Sequence, residues 1–203
     1  MLKILMILAH PALEKSRNNV GMLRAAEHIE GLVVRDLYEL YPRFFINTKK
    51  EQELLSQSNV IVLQHPFYWY SAPALMKQYL DMVFTYNWAY GKNGQNLKGK
   101  IMFNSLTTGG SRDSYHEGKH NRFPLANYLL PFAQMASVCG MCYLPPFVLH
   151  QSGKIFAAEA SRHAKHLEAL LTLFAKGNFD LEAMMRCQYL NDYSLEPTNN
   201  PNQ

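Results

Sequence analysis

The chain has 203 residues, of which 48% are hydrophobic and 18% are charged, values that are ordinary for one soluble globular domain. Its net charge of +4 is mild and its Lys and Arg are dispersed, which argues against a nucleic-acid groove and leaves weak binding of anionic ligands or membrane surfaces open. Three cysteines, an odd number, favour a reducing cytoplasm over a disulfide framework.

The amino-terminal apolar run, residues 2–9, is predicted to form a strand. It leads into His10 without a small-residue cleavage site, so we expect no signal peptide. A helix is expected next, running to about Ile29, and a helix start beside a strand end binds anions through free amides and the helix dipole. An ordinary capped turn is the alternative, because the loop lacks the glycines of known phosphate fingerprints. The candidate phosphate ligands are Ser16, Arg17, Asn18 and Asn19.

The next stretch is predicted to hold one strand and one helix. The strand covers residues 32–36, and an irregular aromatic segment, 37–46, follows it. The helix covers residues 48–56, where Thr48 is the expected cap and Glu51 completes a capping box.

Residues 60–63 form a short apolar run without alternation, which is typical of a parallel strand buried on both faces. Gln64, His65 and Pro66 are expected to end it, and a helix is predicted over 74–84. Ligands of open α/β sheets bind at the carboxyl ends of the strands, and aromatic side chains there indicate a flat, conjugated ligand. Packing in a core or a subunit interface is the alternative. The aromatic residues concerned are Tyr68, Trp69 and Tyr70.

A long loop, 86–99, precedes a fourth strand predicted over residues 101–106. Two small hydroxyl residues and two glycines follow this strand and would let backbone amides approach a ligand that carries carbonyl oxygens. A plain glycine turn is the alternative. These four residues are Thr107, Thr108, Gly109 and Gly110.

Tyr115 and His120 lie in the next segment, and such a pair can donate hydrogen bonds to developing negative charge. Two ordinary surface residues are the alternative. A helix over 125–138, a strand over 142–149 and a helix over 157–174 are predicted next.

Three features of the second half are assigned no chemistry. The CxxC pair is expected to be two buried thiols, because no second pair supports a zinc site. Two histidines of the last helix are expected on a solvated face, and no carboxylate or further His supports a metal site there. The polar residues 177–203 are treated as a carboxyl-terminal extension, with a loose tail over 197–203. The cysteines are Cys139 and Cys142, and the histidines are His163 and His166.

Strands alternate with helices five times, which predicts an α/β fold of the flavodoxin type over residues 1–176. We expect a doubly wound, five-stranded parallel sheet with strand order 2-1-3-4-5. The loops after strands one, three and four then share one edge. An anion site, an aromatic wall and an amide cradle together match the phosphate, dimethyl ring and pyrimidine edge of flavin mononucleotide (FMN).

Several motifs make the chain similar to the flavodoxin-like NAD(P)H:quinone oxidoreductases. They are His10-Pro11 with Ser16 and Asn19, the block HPFYWYSAPALMKQYLDMVF, and TTGG after strand four. LYELYP, QHPFYWYS, WAYG and LPPF most resemble the ancillary flavoproteins of bacterial glutathione-gated potassium-efflux systems. The resemblance covers residues 2–174.

The resemblance implies a role for each candidate residue. His10, Ser16 and Asn19 would contact the flavin phosphate and ribityl chain, Phe67 to Tyr70 the ring, and Thr107 to Gly110 its pyrimidine edge. Tyr115 and His120 look like the Tyr and His that quinone reductases place beside the flavin carbonyl. Their spacing is one residue shorter than in the animal enzymes.

It also implies a homodimer and a two-step reaction. NADH or NADPH reduces the flavin by hydride transfer, and a quinone then takes the same position and accepts two electrons. FAD in place of FMN, and NADH against NADPH, are left open.

Three other functions compete with this prediction. One is a regulatory subunit of a membrane potassium-efflux antiporter, which would lie at the inner face of the cell membrane. It is motivated by basic residues at 112, 119, 122 and 154. A flavodoxin-like electron carrier and an azo- or nitroreductase are the others.

Overall fold

A parallel sheet organises residues 1–195, the part of the chain that the computed structural model describes. Its strand order is β2-β1-β3-β4-β5, with β6 also paired to β4, which confirms the predicted order. The strands are β1 (Ile4–Leu8), β2 (Leu32–Asp36), β3 (Val60–Pro66), β4 (Ile101–Thr107), β5 (Cys142–Tyr143) and β6 (Phe147–Leu149).

Two of the predicted strands have different bounds. Strand β3 continues through Gln64, His65 and Pro66, all of them buried, so these residues do not end it. The predicted strand over 142–149 is divided into β5 and β6, because Pro145 and Pro146 between them have no backbone N–H to donate to a neighbouring strand.

Helices cover both faces of the sheet. Every residue of β1, β3 and β4 is buried, as we expect for strands covered on both sides. Leu5 and Ile7 pack into the core cluster beneath α4 (Ala74–Val83), whereas Ile4 and Met6 pack into the cluster beneath α7 (Ala157–Lys176). The helices are α1 (Arg17–Ala26), α2 (Leu37–Leu40), α3 (Thr48–Gln57), α4 (Ala74–Val83), α5 (Leu125–Tyr128), α6 (Leu130–Val138), α7 (Ala157–Lys176) and α8 (Leu181–Arg186).

The start of α3 differs from the prediction. Asn47, not Thr48, caps the helix, because its side chain accepts the Lys50 N–H. Glu51 makes no capping box. Its carboxylate is fully buried and accepts hydrogen bonds from Arg35 at 2.5 Å and from Tyr41 at 2.6 Å.

Two other segments differ from the prediction: one predicted to be irregular contains a helix, and one predicted helix is divided in two. Residues 37–46 contain α2, whose first turn is capped by the Asp36 carboxylate. The predicted helix over 125–138 is divided into α5 and α6, since Pro131 cannot donate the hydrogen bond that would join them.

The histidines of α7 are not on a solvated face. The ring of His163 lies 4.4 Å from that of Phe147 on the sheet, and that of His166 lies 5.4 Å from it. Burial, followed by the charge of His166, lowers the pKa of His163 to about 3. These imidazoles are therefore neutral packing groups near pH 7.

The segment after Gly177, which we expected to be a polar extension, packs against the sheet through residue 195. Met184 and Leu190 are fully buried in the cluster beneath α7. Asn191 pairs with β6 through its side chain, which accepts the Val148 N–H at 2.8 Å and donates to the Val148 carbonyl at 3.2 Å. It thereby covers an otherwise open strand edge. The loose tail predicted over 197–203 lies outside the described residues.

Among residues 1–195, no helix combines the length and the apolar character that crossing a bilayer would require.

Candidate active site

The loops after β1, β3 and β4 converge on one cleft of about 610 Å³ at the carboxyl edge of the sheet. Residues of the loop after β6, Ser152 and Gly153, complete its wall. The predicted residues Trp69, Tyr70, Thr108 and Gly110 belong to the same loops but do not line the cleft themselves. The predicted residues that line it are His10, Ser16, Asn18, Asn19, Phe67, Tyr68, Thr107 and Gly109.

One end of the cleft is built from the start of α1. Ser16 precedes this helix but its side chain does not cap it, so the first backbone N–H groups of α1 remain available. Lys15 and Arg17 add positive charge, and the first turn contains no acidic residue. The arrangement favours an anion site over a capped surface turn.

Asn19 connects this end of the cleft to the sheet. Its side chain is almost fully buried and donates to Ser16 Oγ at 2.9 Å and to Thr107 Oγ1 at 3.3 Å. Asn18 Oδ1 is buried with no hydrogen-bond partner within residues 1–195. A buried acceptor without a partner is unfavourable unless a ligand or water satisfies it.

His10 provides a hydrogen-bond donor at the floor of the cleft. Its Nδ1 accepts the Ala12 N–H at 3.1 Å, and burial lowers the pKa of the imidazole. The neutral ring therefore carries its proton on Nε2.

Trp69 and Tyr70 occupy the two central positions of a tight turn. Their φ angles are 48° and 62°, and the Ser71 N–H donates to the Tyr68 carbonyl at 3.0 Å, which defines a type I′ turn. Such turns favour Asn-Gly, and a positive φ strains an aromatic residue. Trp69 is 93% exposed, so packing within the described residues does not compensate for this strain.

The segment 107–110 is held by neighbouring backbone. The Thr108 N–H donates to the Leu149 carbonyl at 2.9 Å, and the Thr107 carbonyl accepts the Phe67 N–H at 2.8 Å. A Cβ on Gly110 would lie 2.6 Å from Ser114 Oγ, whereas a Cβ on Gly109 would have no atom of residues 1–195 within 4 Å apart from its chain neighbours. Gly110 is therefore required for packing against the next segment, and Gly109 leaves the cleft open.

Tyr115 and His120 have different surroundings. Tyr115 is buried, with its ring 6.0 Å from that of Phe67, and burial raises the pKa of its hydroxyl. His120 is exposed, and within the described residues it makes no ring contact or hydrogen bond with Tyr115. The histidine beside Tyr115 is His150, with ring centroids 5.9 Å apart.

His150 was missed by the sequence analysis. It follows β6 directly, as His10 follows the first strand, so its place after an apolar run was the available signal. Its Nδ1 lies 3.2 Å from Thr108 Oγ1. Burial, followed by the positive charge of Arg112, lowers the pKa of His150 to about 4.

The remaining thiols and histidines form no metal centre in the part of the chain that the structure describes. Cys139 is buried and Cys142 is half-buried, both as free thiols, and burial raises the pKa of each.

Comparison with known proteins places this geometry in a family. A family model described as the flavodoxin-like fold matches residues 2–172. The chain belongs to this family. The flavodoxin-like match includes all six strands and the loops of the cleft, and ends before α8.

Three similar proteins illustrate the likeness. The glutathione-regulated potassium-efflux system ancillary protein KefF of Enterobacter sp. (strain 638) is 44% identical over 147 residues, which are 72% of this chain and 82% of that protein. General stress protein 14 of Treponema denticola, solved in complex with FMN, is 34% identical with a TM-score of 0.78, covering 83% of this chain and 97% of that one. An NADPH-quinone reductase of P. pentosaceus is 30% identical with a TM-score of 0.76, with the same two coverages.

Proposed function

We propose that the protein is an FMN-dependent NAD(P)H:quinone oxidoreductase. One observation carries the proposal: an anion-binding helix start, an exposed aromatic turn and a backbone cradle meet around a single cleft. Two similar structures support it, since one holds FMN and the other is described as an NADPH-quinone reductase.

The residues present fit FMN at each part of the cleft. The free N–H groups in the first turn of α1 would hold the phosphate. Asn18 Oδ1, a buried acceptor without a partner among the described residues, would accept a hydrogen bond from a ribityl hydroxyl. The ring would lie against the aromatic turn, and its pyrimidine edge against the cradle. The proposed cofactor-binding residues are His10, Ser16, Asn18, Asn19, Phe67, Tyr68, Trp69, Tyr70, Thr107, Thr108, Gly109 and Gly110.

Bound FMN would supply the redox chemistry, accepting a hydride from NADH or NADPH and passing two electrons to a quinone. The protein contributes position and hydrogen bonds. A tyrosine hydroxyl is protonated near pH 7, and burial raises the pKa of Tyr115 further above its ordinary value. It can therefore donate toward negative charge at the pyrimidine edge. His10 can donate from Nε2 to the phosphate or ribityl chain. We propose that His120, which is exposed, donates more weakly toward the flavin carbonyl.

A homodimer is part of the proposal, because a broad apolar face lies beside the aromatic turn. A groove of about 600 Å³ runs between α4 and α6, with Phe84, Met135 and Val138 in its walls. Leu130 and Val138 on α6 are 60% and 54% exposed. Burying such a face against a second copy would remove apolar surface from water and cover Trp69.

The test is an anaerobic stopped-flow measurement of both half-reactions on FMN-loaded protein. We expect NADPH or NADH to bleach the flavin, and a soluble quinone then to restore its absorbance at a rate that rises with quinone concentration. Reduction without reoxidation by any quinone would overturn the acceptor class. Azo and nitro compounds, tested in parallel, distinguish the related reductase activities.

A second proposed function is that of an ancillary subunit of a potassium-efflux antiporter, which would place the protein at the inner face of the membrane. The 44% identity to an ancillary protein of such a system supports it. The basic residues that motivated it, Arg112, Lys119, Arg122 and Lys154, are all exposed. Arg112 pairs with Asp192 and Lys119 pairs with Asp113.

The two functions can be separated in a deletion strain. Restored activation of potassium efflux by a variant that binds no flavin would favour regulation without catalysis. Failure of the protein to co-purify with any transporter would count against the ancillary role.

A further inference from the structure

The imidazole of His150 lies between residues 107–110, the backbone cradle, and residues 178–195, the carboxyl-terminal segment. On one side, its Nδ1 lies 3.2 Å from Thr108 Oγ1, which itself donates to the Gly110 carbonyl at 2.9 Å. Because the Thr108 hydroxyl proton is used in that bond, its oxygen is left to accept from Nδ1–H. On the other side, the His150 ring contacts Tyr189 edge-on at 5.4 Å.

The loop that carries His150 is joined to the cradle by backbone as well. The Gln151 N–H donates to the Gly110 carbonyl at 3.0 Å, and the Ser152 N–H donates to the Thr108 carbonyl at 2.9 Å. A displacement of His150 would therefore displace the peptide groups of Thr108 and Gly110.

Arg112 fastens the carboxyl-terminal segment over this histidine. Its guanidinium makes a two-fold contact with Asp192, at 2.8 and 2.7 Å, and donates to Gln188 Oε1 at 2.9 Å. It also lies over the Tyr189 ring at 4.5 Å. Paired N–H bonds to one carboxylate fix orientation as well as distance, and Tyr189 is only 3% exposed.

This segment lies outside the residues that match the family, 2–172. Asp192 of this segment nevertheless binds Arg112, and Tyr189 contacts His150, which in turn contacts Thr108 of the cradle. The polar character that set it apart in the sequence comes in part from Gln188 and Asp192, the residues that bind Arg112.

We propose that the carboxyl-terminal segment is part of the cofactor site, with Arg112, Tyr189 and Asp192 forming a clamp that holds His150 against Thr108. His150 is thus a positioning residue: it sets the backbone of residues 108–110 and the ring of Tyr115 where the pyrimidine edge of FMN would bind. The inference rests on the proposed function, because it takes FMN as the ligand.

The test compares the dissociation constant for FMN and the reduction potential of bound flavin in four variants. His150→Leu removes the bond to Thr108, and we expect it to raise the FMN Kd about tenfold. His150→Asn keeps a donor near the Nδ1 position and should stay within about threefold of the parent. The potential should become more negative in His150→Leu, because the cradle then stabilises the reduced flavin less well.

Arg112→Gln tests the clamp at a distance from the cofactor, and we expect about a fivefold rise in Kd. Arg186→Gln is the matched control, since it removes an exposed contact with Glu182 in the same segment and should change neither quantity. Circular dichroism verifies that each variant is folded.

The outcomes separate the two proposals. Parent protein that binds no FMN would refute the proposed function. Parent that binds FMN, with His150→Leu and Arg112→Gln both unchanged in affinity and potential, would refute the clamp alone. Should one of these variants not fold, the other decides.

Discussion

Nε2 of His65 accepts a hydrogen bond from Nδ2 of Asn104 on the adjacent strand, across 2.9 Å, in the fully buried centre of the sheet. The other ring nitrogen of His65 donates to the Pro66 carbonyl at 3.0 Å, and Tyr143 donates to Asn104 Oδ1 at 2.6 Å. Both nitrogens of a neutral imidazole are thus satisfied, and β3, β4 and β5 are connected just below the aromatic turn.

This histidine makes stability depend on pH. Burial lowers the pKa of His65 to about 4, so between about pH 6.5 and 4 the unfolded chain binds a proton that the folded chain does not. The contribution of neutral His65 to the free energy of unfolding is therefore present above about pH 6.5 and is lost as the pH falls toward 4. For His65 alone we expect a decrease of about 2 kcal/mol between pH 7 and pH 5.

Urea unfolding of flavin-free protein at the two pH values measures this decrease. His65→Gln should unfold at lower urea at pH 7 and lose less stability on acidification. An equal pH dependence in the variant would show that other groups, such as His150 and His163, account for the effect.

The aromatic turn offers a separate test of strain. Trp69 has a φ of 48° and is 93% exposed, so replacing it removes little packing from a single chain. We expect Trp69→Gly to be more stable than Trp69→Ala by about 1 kcal/mol, because only glycine relieves the positive φ.

Both variants should bind FMN or quinone more weakly than the parent, because they lack the ring that we propose stacks on the ligand. Unfolding is measured on dilute, flavin-free protein, where the proposed dimer would contribute least to stability. Equal stabilities of the Gly and Ala variants would contradict the strain, and unchanged flavin affinity together with an unchanged quinone KM would contradict the stacking role.

The roles of Tyr115 and His120 can be compared directly. Tyr115→Phe removes one buried hydroxyl with little change in packing, and we expect flavin reduction to slow by about tenfold or more while FMN stays bound. His120→Ala should have a smaller effect, because its side chain is exposed. Stopped-flow reduction by NADPH measures both rates. A larger decrease in His120→Ala than in Tyr115→Phe would show that His120 is the main hydrogen-bond donor to the reduced flavin.

The proposed dimer face makes a further prediction. Val138 is 54% exposed beside the groove between α4 and α6, so Val138→Glu would place a charge in the interface and weaken association by about tenfold or more. Light scattering over a range of concentrations measures the change. Met185→Glu is the control, as Met185 is 51% exposed on α8, and equal behaviour of the two variants would exclude this face.

The sequence predicted the sheet well because its central strands are buried on both faces. Runs such as residues 60–63 then contain only apolar side chains, and the position of each cleft loop follows from the strand before it. The bounds were less predictable. His65 and Asn104 are polar but satisfy one another inside the sheet, and a single sequence does not reveal such pairing.

The residues of the candidate cleft were predicted where loops follow strands, and contacts between residues distant along the chain were missed. His150 reaches Thr108 across 42 residues, and Arg112 reaches Asp192 across 80. Local composition carries no signal of such contacts, so the segment after Gly177 was predicted to be a polar extension outside the flavodoxin-type domain. Glu51 was misread for the same reason, since its partner Arg35 lies on another element.

The visible spectrum of the purified protein shows directly whether the cleft binds a redox-active flavin. We predict a yellow protein with a flavin band, or one that acquires the band with FMN, and full bleaching by one equivalent of NADPH or NADH without oxygen. A colourless protein that binds neither FMN nor FAD, or a bound flavin that neither nicotinamide reduces, would contradict the proposed oxidoreductase function.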